Sequence, residues 1–266
     1  MTPLDGTGSV ADALARLTTA ADTGVPCTPV RDVLGTTDIA TAYAVQQQLI
    51  AARVAAGATI VGRKIGLTSP AVQAQLGVNR PDFGVLLDDM DVSALPEVPS
   101  SRLLQPKAEA EIAVRLGADL IDGDLDDAQI RAAVSGVAAA LEIVDSRVQN
   151  WDIQITDTVA DNASSGLYVI ADNWLTLDEV EPIDVTMRMY VDDELVSEGN
   201  GAACLGDPLI ALGWLARTAR EYGQPLLAGQ VVLTGALGPM VPSPPGSVVR
   251  AELSTLGTVH ATFSKD

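Results

Sequence analysis

Histidine occurs once in this chain and cysteine twice. Zinc sites built on thiolates and imidazoles therefore lack donors, and two cysteines cannot form a disulfide framework. Cys27 and Cys204 are expected as reduced thiols. A histidine-based triad would have to use His260, in the last predicted strand, and no G-x-S-x-G elbow accompanies it; His260 reads as structural. Lysine is almost as scarce: Lys64, Lys107 and Lys265 are the full set. Basic residues number 16 against 35 acidic ones, a net charge of −19, which excludes unaided binding to a phosphate backbone. No run of about 18 uncharged apolar residues is present, so no membrane span is expected. A P-loop is missing, and Gly6-Thr7-Gly8 copies part of a dinucleotide fingerprint with no strand before it. The first residues lack the basic and apolar regions of a signal peptide, and a cytoplasmic location is expected.

What is there supports a globular fold. Of 266 residues, 47% are apolar and only 19% charged, enough to bury a core against the entropy of chain ordering. Aromatics are 3%, so aliphatic side chains and alanine must fill that core. Residues 1–60 read as a helical N-terminal portion. One helix spans Ser9 to Asp22, and a second begins at Thr37-Asp38 and stops at Gly57. Residues 61–266 read as a β-rich body that carries the chemistry. A strand covers Ile60 to Ile65, a short helix runs from Ser69-Pro70 to Gly77, and residues 78–101 are rich in loops. The segment EAEIAVRL alternates as a strand, a helix follows from Asp124 to Ala140, and LEIVDSR returns to strand. Further strands lie at Gly166–Ala171, Val185–Val191 and Val231–Thr234. Asp192-Asp193 is a hairpin turn into Glu194–Ser197, Asp207-Pro208 opens a helix that ends at Gly223, and a terminal hairpin spans Ser247 to Phe263. The class is α+β.

Three features carry chemistry. Glu109 and Glu111 stand two apart in a strand, on one face and about 7 Å from each other by strand rise. Such a pair describes either a solvent-facing strand edge or a cation site, because neighbouring carboxylates repel and resist burial without a counter-charge. Glu142 favours the cation. It is the single charge between Val137 and Val144, and a charge in such a run is usually paired or ligated. Three carboxylates without histidine or cysteine suit a hard ion, Mg²⁺ or Mn²⁺. Lys64 lies between Gly62 and Gly66: in a strand these same-face neighbours leave room for a ligand beside the ammonium, and otherwise Lys64 is a surface lysine next to Arg63. Asp82, in the turn RPDFG, is by default a turn residue. The stretch TDTVADNASSG is either a binding loop or a long turn.

The segments GRKIGLTSPAVQAQLGVNRPDFGVLLDDM, QPKAEAEIAV and ALEIVDSRVQNWDIQITDTVADNASSG, with LTGALGPMVP further on, resemble the 2-hydroxypenta-2,4-dienoate hydratases, also called 2-keto-4-pentenoate hydratases. These belong to the fumarylacetoacetate hydrolase superfamily. The resemblance runs from about Thr37 to the C-terminus. It implies a mixed β-sheet roll or barrel behind a helical N-terminal portion, and a Mg²⁺ or Mn²⁺ site whose ligands fall on Glu109, Glu111 and Glu142. It also implies an active-site lysine at Lys64, an acid at Asp82, and a serine at Ser164, with Ser165 beside it as the alternative. The implied activity is hydration of a 2-hydroxy-2,4-dienoate in meta-cleavage degradation of aromatic compounds or steroids, by a homo-oligomer. A pathway decarboxylase or aldolase is the implied partner class. The 4-oxalocrotonate decarboxylases share the metal site and lysine and give the alternative activity, but the Pro81-Asp82-Phe83-Gly84 and Gln105-Pro106 stretches look more like hydratases. A non-catalytic partner of such an enzyme is the remaining alternative. The C–C hydrolases of the superfamily use a His–Glu pair, from which this chain departs.

Overall fold

A computed structural model describes residues 6–69, 73, 78 and 80–266. Apart from Ser69 and Gln73, the short helix expected up to Gly77 lies outside the described residues. Helix α1 spans Gly6–Thr23, α2 Arg31–Leu34 and α3 Ile39–Ala55. Of Thr37 and Asp38, either of which the sequence allows as the N-cap, Asp38 caps α3, its side chain accepting the Thr41 N–H at 3.0 Å. From Ile60 onward strands dominate.

The larger sheet contains β1 (Ile60–Gly66), β2 (Asp82–Leu87), β3 (Lys107–Leu116), β4 (Val134–Val144), β5 (Ser165–Ile170), β8 (Val231–Ala236) and the two-residue β9 (Val241–Pro242). Its order is β2-β1-β8-β3-β4-β5, with β9 also pairing with β3. Only the β1–β8 pair is parallel. The smaller antiparallel sheet runs β11-β10-β6-β7, from β6 (Thr186–Val191), β7 (Glu194–Asn200), β10 (Val248–Leu253) and β11 (Gly257–Thr262). Asp192 and Asp193 join β6 to β7 with φ of 49° and 67°, the left-handed pair of a two-residue hairpin turn. The fold is α+β, as expected. Among the described residues no helix is long and apolar enough to cross a membrane.

Two expectations are corrected. The helix from Asp124 to Ala140 is in fact a short helix, α4 (Asp127–Ala133), and its apolar continuation is β4. Alanine's helix preference yields there to the pairing of β4 with β3 on one side and β5 on the other. The second correction falls in residues 78–101. The segment DFGVLL is β2, buried at every position, and a strand buried on both faces shows no alternation to read. Asp82 therefore opens a strand and is not a turn residue.

The N-terminal helices share one apolar cluster with the sheets, from Ala13 and Leu17 through Ile112 and Leu141 to Phe263. Polar clips fasten them. Asp157, in α5 (Ile155–Ala160), is fully buried and accepts from the Arg31 backbone N–H at 2.8 Å and its guanidinium at 2.7 Å. Gln46 on α3 donates to the carbonyls of Phe83 and Val159. Tyr43 stacks on Phe83 with ring centroids 4.8 Å apart. Removing one partner of a buried pair strands the other charge. Asp157→Ala is expected to cost about 2–4 kcal/mol, somewhat below a full buried pair because Arg31 keeps Asp152. The urea midpoint measures this, and an unchanged midpoint would contradict the clip.

Candidate active site

The β3–β4 register sets Glu109 directly opposite Glu142, and Glu111 follows two residues along the same face of β3. One carboxylate oxygen from each of the three lies within 4.8 Å of the others. Glu111 and Glu142 are buried and Glu109 is half-buried. β3 is an interior strand with both faces covered, so the reading of the acid pair as a solvent-facing edge does not hold.

Buried carboxylates need partners, and these have few. Glu111 Oε2 accepts the Gly235 N–H at 2.8 Å. Among the described residues, Glu111 Oε1 and both oxygens of Glu142 find no hydrogen-bond donor. Glu142 Oε1 lies 3.0 Å from Lys64 Nζ, an ion pair without hydrogen-bond alignment. Burial first, and then the neighbouring Glu142 carboxylate, push Glu109 up to about 7 and hold Glu111 well above the usual carboxylate range. All-oxygen donors, orphaned oxygens and raised proton affinity are what a site for a hard divalent cation shows when read from its protein groups alone. The residues fit such an ion.

Lys64 is 3% exposed. Burial draws its pKa down, but Glu142, Asp82, Glu109 and Glu111 outweigh that and hold it above the ordinary lysine value. The two glycines beside it do not leave room for a ligand as expected. A Cβ on Gly66 would sit 2.2 Å from Asp82 Oδ1, and one on Gly62 would sit 1.9 Å from the Val231 carbonyl oxygen. The space at Gly66 belongs to the Asp82 carboxylate, and Gly62 lets β8 close against β1. Asp82 pairs with Gly66 across the β1–β2 ladder, which brings its side chain beside Lys64. Burial raises Asp82 to about 6 against the pull of Lys64. Among the described residues its Oδ1 finds no hydrogen-bond donor, and its Oδ2 lies 3.4 Å from the Thr158 hydroxyl.

Thr158 also meets Ser164, with the two hydroxyl oxygens 3.3 Å apart, so Ser164 joins the Asp82 group. Ser165 instead donates to the Asn162 carbonyl at 2.7 Å and holds the loop closed. Asn162, Ala163 and Ser164 all have φ between 52° and 53°, three successive left-handed residues of the strained kind that gathers at functional sites. The Asn162 amide clips this loop to β2, accepting from the Val85 N–H at 2.8 Å and donating to the Val85 carbonyl at 2.9 Å. Gly84 permits the approach, since a Cβ there would lie 2.5 Å from the Asn162 carbonyl oxygen. Thr158, Asn162 and Gly235 went unidentified in the sequence. The dense run of hydroxyls and amides in TDTVADNASSG was the signal for the first two.

The Fumarylacetoacetate (FAA) hydrolase C-terminal family matches residues 77–264. The chain is 48% identical to the TodF product hydratase of Pseudomonas putida, over 97% of each chain. It is 48% identical to 2-keto-4-pentenoate hydratase 2 of Dechloromonas aromatica, over 95% of this chain and 96% of that one. Among solved structures it is similar to 4-oxalocrotonate decarboxylase from Pseudomonas putida G7 complexed with magnesium and adipate, with TM-score 0.88, 34% identity, and coverage of 95% of this chain and 97% of that one.

Raised carboxylate pKa values set a pH dependence. Glu109 is protonated below about 7, and Glu111 holds its proton well above the usual carboxylate range, so protons compete with a cation in acid and are released when it binds. As pH rises the unoccupied cluster gains repelling charge, and stability falls because the folded state binds more protons than the unfolded one. The rise in melting temperature caused by saturating Mg²⁺ or Mn²⁺ is therefore expected to be larger at pH 8 than at pH 5.5. A thermal-shift series over that range checks it, and a pH-independent shift would contradict the assignment.

Proposed function

The chain belongs to the fumarylacetoacetate hydrolase family and, within it, to the 2-keto-4-pentenoate hydratases; from that membership and the geometry above we propose that its Glu109–Glu111–Glu142 cluster, with Lys64, Asp82 and Ser164, hydrates 2-hydroxypenta-2,4-dienoate or a close homologue. The product is a 4-hydroxy-2-oxo acid, and the setting is meta-cleavage degradation of aromatic compounds or steroids. The carrying observation is the convergence of three acids, a buried lysine and a buried aspartate in a chain 45–48% identical to hydratases.

The proposed cation is Mg²⁺ or Mn²⁺, held by Glu109, Glu111 and Glu142. When bound, such a dication acts as a Lewis acid on the α-oxo acid end of the substrate and stabilises negative charge at the C2 oxygen. The protein's own groups handle the protons. The reaction moves one proton from the C2 hydroxyl to C5, giving a conjugated 2-oxo-3-enoate. Water then adds across C3–C4, with hydroxide to C4 and a proton to C3. Asp82 has a carboxyl near 6 and, among the described residues, an oxygen with no hydrogen-bond donor, so it is suited to take a proton and return it near neutral pH. Lys64, kept charged by Glu142, stabilises the anionic substrate and its enolate. Ser164, linked through Thr158 to Asp82, positions the substrate or the attacking water.

Decarboxylation of 4-oxalocrotonate is the second reading, and the solved structure at 34% identity favours it; the hydratases match at higher identity. Homo-oligomeric assembly, a cytoplasmic location and a decarboxylase or aldolase of the same pathway as partner complete the proposal.

Incubation with 2-hydroxypenta-2,4-dienoate and Mg²⁺ is expected to bleach the diene absorbance and yield 4-hydroxy-2-oxopentanoate. Release of CO₂ from 4-oxalocrotonate without dienoate turnover would establish the decarboxylase instead. Lys64→Ala is expected to lower kcat by at least about 10²-fold, the scale of losing an acid–base or charge-stabilising group. Ser164→Ala should reduce kcat more than KM-matched binding, whereas a near-wild-type rate in either variant removes that residue from the mechanism.

A further inference from the structure

The ladder between β3 and β8 breaks at the cluster. Glu111 pairs with Ala236, and Ala113 pairs with Leu233. Between those pairs a single β3 residue, Ile112, faces two residues of β8, Thr234 and Gly235. This is a β-bulge, a device that re-aims groups beside functional sites. Gly235 has φ of 115°, and a Cβ there would lie 2.4 Å from Thr68 Cγ2, so only glycine fits.

The bulge takes backbone groups out of the ladder, and each finds a specific partner. The Gly235 N–H turns to Glu111 Oε2 at 2.8 Å. The Gly235 carbonyl accepts from the Cys204 thiol at 2.9 Å, with the Ala236 carbonyl at 3.5 Å from the same sulfur. The Ile112 carbonyl accepts from the Thr234 hydroxyl at 2.8 Å. Pairing resumes where the Leu237 N–H meets the Ala110 carbonyl at 2.9 Å. Cys204 and Thr234 are fully buried. Neither side chain touches Glu111 in these hydrogen bonds; Thr234 anchors the residue before the Gly235 N–H, and Cys204 anchors the carbonyl after it.

We propose that Cys204 and Thr234 are positioning residues for Glu111: they lock the Gly235 bulge, so that its N–H occupies Oε2 and leaves Oε1 turned to a divalent cation. The inference rests on the reading of Glu109, Glu111 and Glu142 as the cation ligands. Outer partners of this kind typically change metal affinity by about 10–100-fold when removed.

Mn²⁺ binding by titration calorimetry, on folded protein well below its melting temperature, tests this separately from activity. Wild type and Glu111→Gln calibrate the site. Thr234→Val and Cys204→Ala are each expected to weaken Mn²⁺ binding by about tenfold or more. Thr234→Ser and Cys204→Ser keep a donor and should restore affinity close to wild type, a rescue that a merely space-filling role does not produce. Should Cys204→Ala fail to fold, Thr234→Val, which deletes one hydroxyl at nearly the same shape, carries the same test. Undiminished affinity in the folded valine and alanine variants overturns the positioning role and leaves the ligand assignment intact. Absence of Mn²⁺ binding in wild type overturns the ligand assignment itself, and the inference with it.

Discussion

Repulsion among three carboxylates on one dry face of a sheet is the constraint around which the rest is arranged. Glu109, Glu111 and Glu142 are brought together by pairing β3 with β4, two of the most buried strands in the molecule. Taking charges out of water costs several kcal/mol each unless opposite charge compensates. Lys64 supplies one positive charge, but a single ammonium pairs with one carboxylate at a time, and here it takes Glu142. Glu109 and Glu111 are left to raise their proton affinity or to share a cation. Strands suit this task better than loops would, because ladder register fixes side-chain positions to within the tolerance that coordination requires.

Close backbone approach is the second condition. Gly62 lets β8 lie parallel against β1, Gly66 yields its volume to Asp82, and Gly84 yields its own to the Asn162 loop. Each missing side chain is filled by a group the chemistry uses or by a strand that carries one. The loop from Asn162 to Ser164 keeps three residues in a sparsely populated conformation. The Asn162 clip on Val85 and the buried Arg147–Asp161 pair over-determine it, which is how strained segments persist. Ser164 is thereby aimed by a rigid loop on a rigid sheet.

How much of this was legible before the fold was seen depended on range. Glu109 and Glu111 announce themselves by a spacing of two, and Glu142 by being a lone charge in an apolar run; both signals are local, and strand pairing brings the three carboxylates together. The helix starts at Thr37-Asp38 and Asp207-Pro208 and the Asp192-Asp193 turn are equally local and equally readable. β2 carries no readable signal because a strand buried on both faces has no alternation, and the first part of β4, up to Ala140, reads as helix because alanine-rich sequence looks helical until its neighbours pair with it. The glycines about Lys64 were noticed, but their meaning was misread, since the groups that fill their space come from Asp82 and Val231. The part Gly235 plays is invisible for the same reason, and so is the partner of Thr158 within its hydroxyl-rich run: Gly235 meets Glu111 across 124 residues and Thr158 meets Asp82 across 76. No local pattern encodes a partner at that separation.

Charge balance ties the acid–base group to the cation cluster. In the proposed reading, a dication and the Lys64 ammonium together cancel the three glutamates. A neutral centre of this kind, buried and short of water, then receives an anionic substrate. Asp82 sits beside it with its own carboxyl already raised by burial to about 6, and an arriving negative charge raises a neighbouring carboxyl further. Substrate binding therefore favours the protonated form of Asp82, the form able to deliver a proton to carbon. Lys64 opposes that shift only in part, because its charge is already engaged by Glu142. The same ion pair that helps neutralise the cluster thus leaves Asp82 free to change protonation state during the reaction. In that reading, a lysine without that glutamate would hold Asp82 ionised and remove the proposed acid.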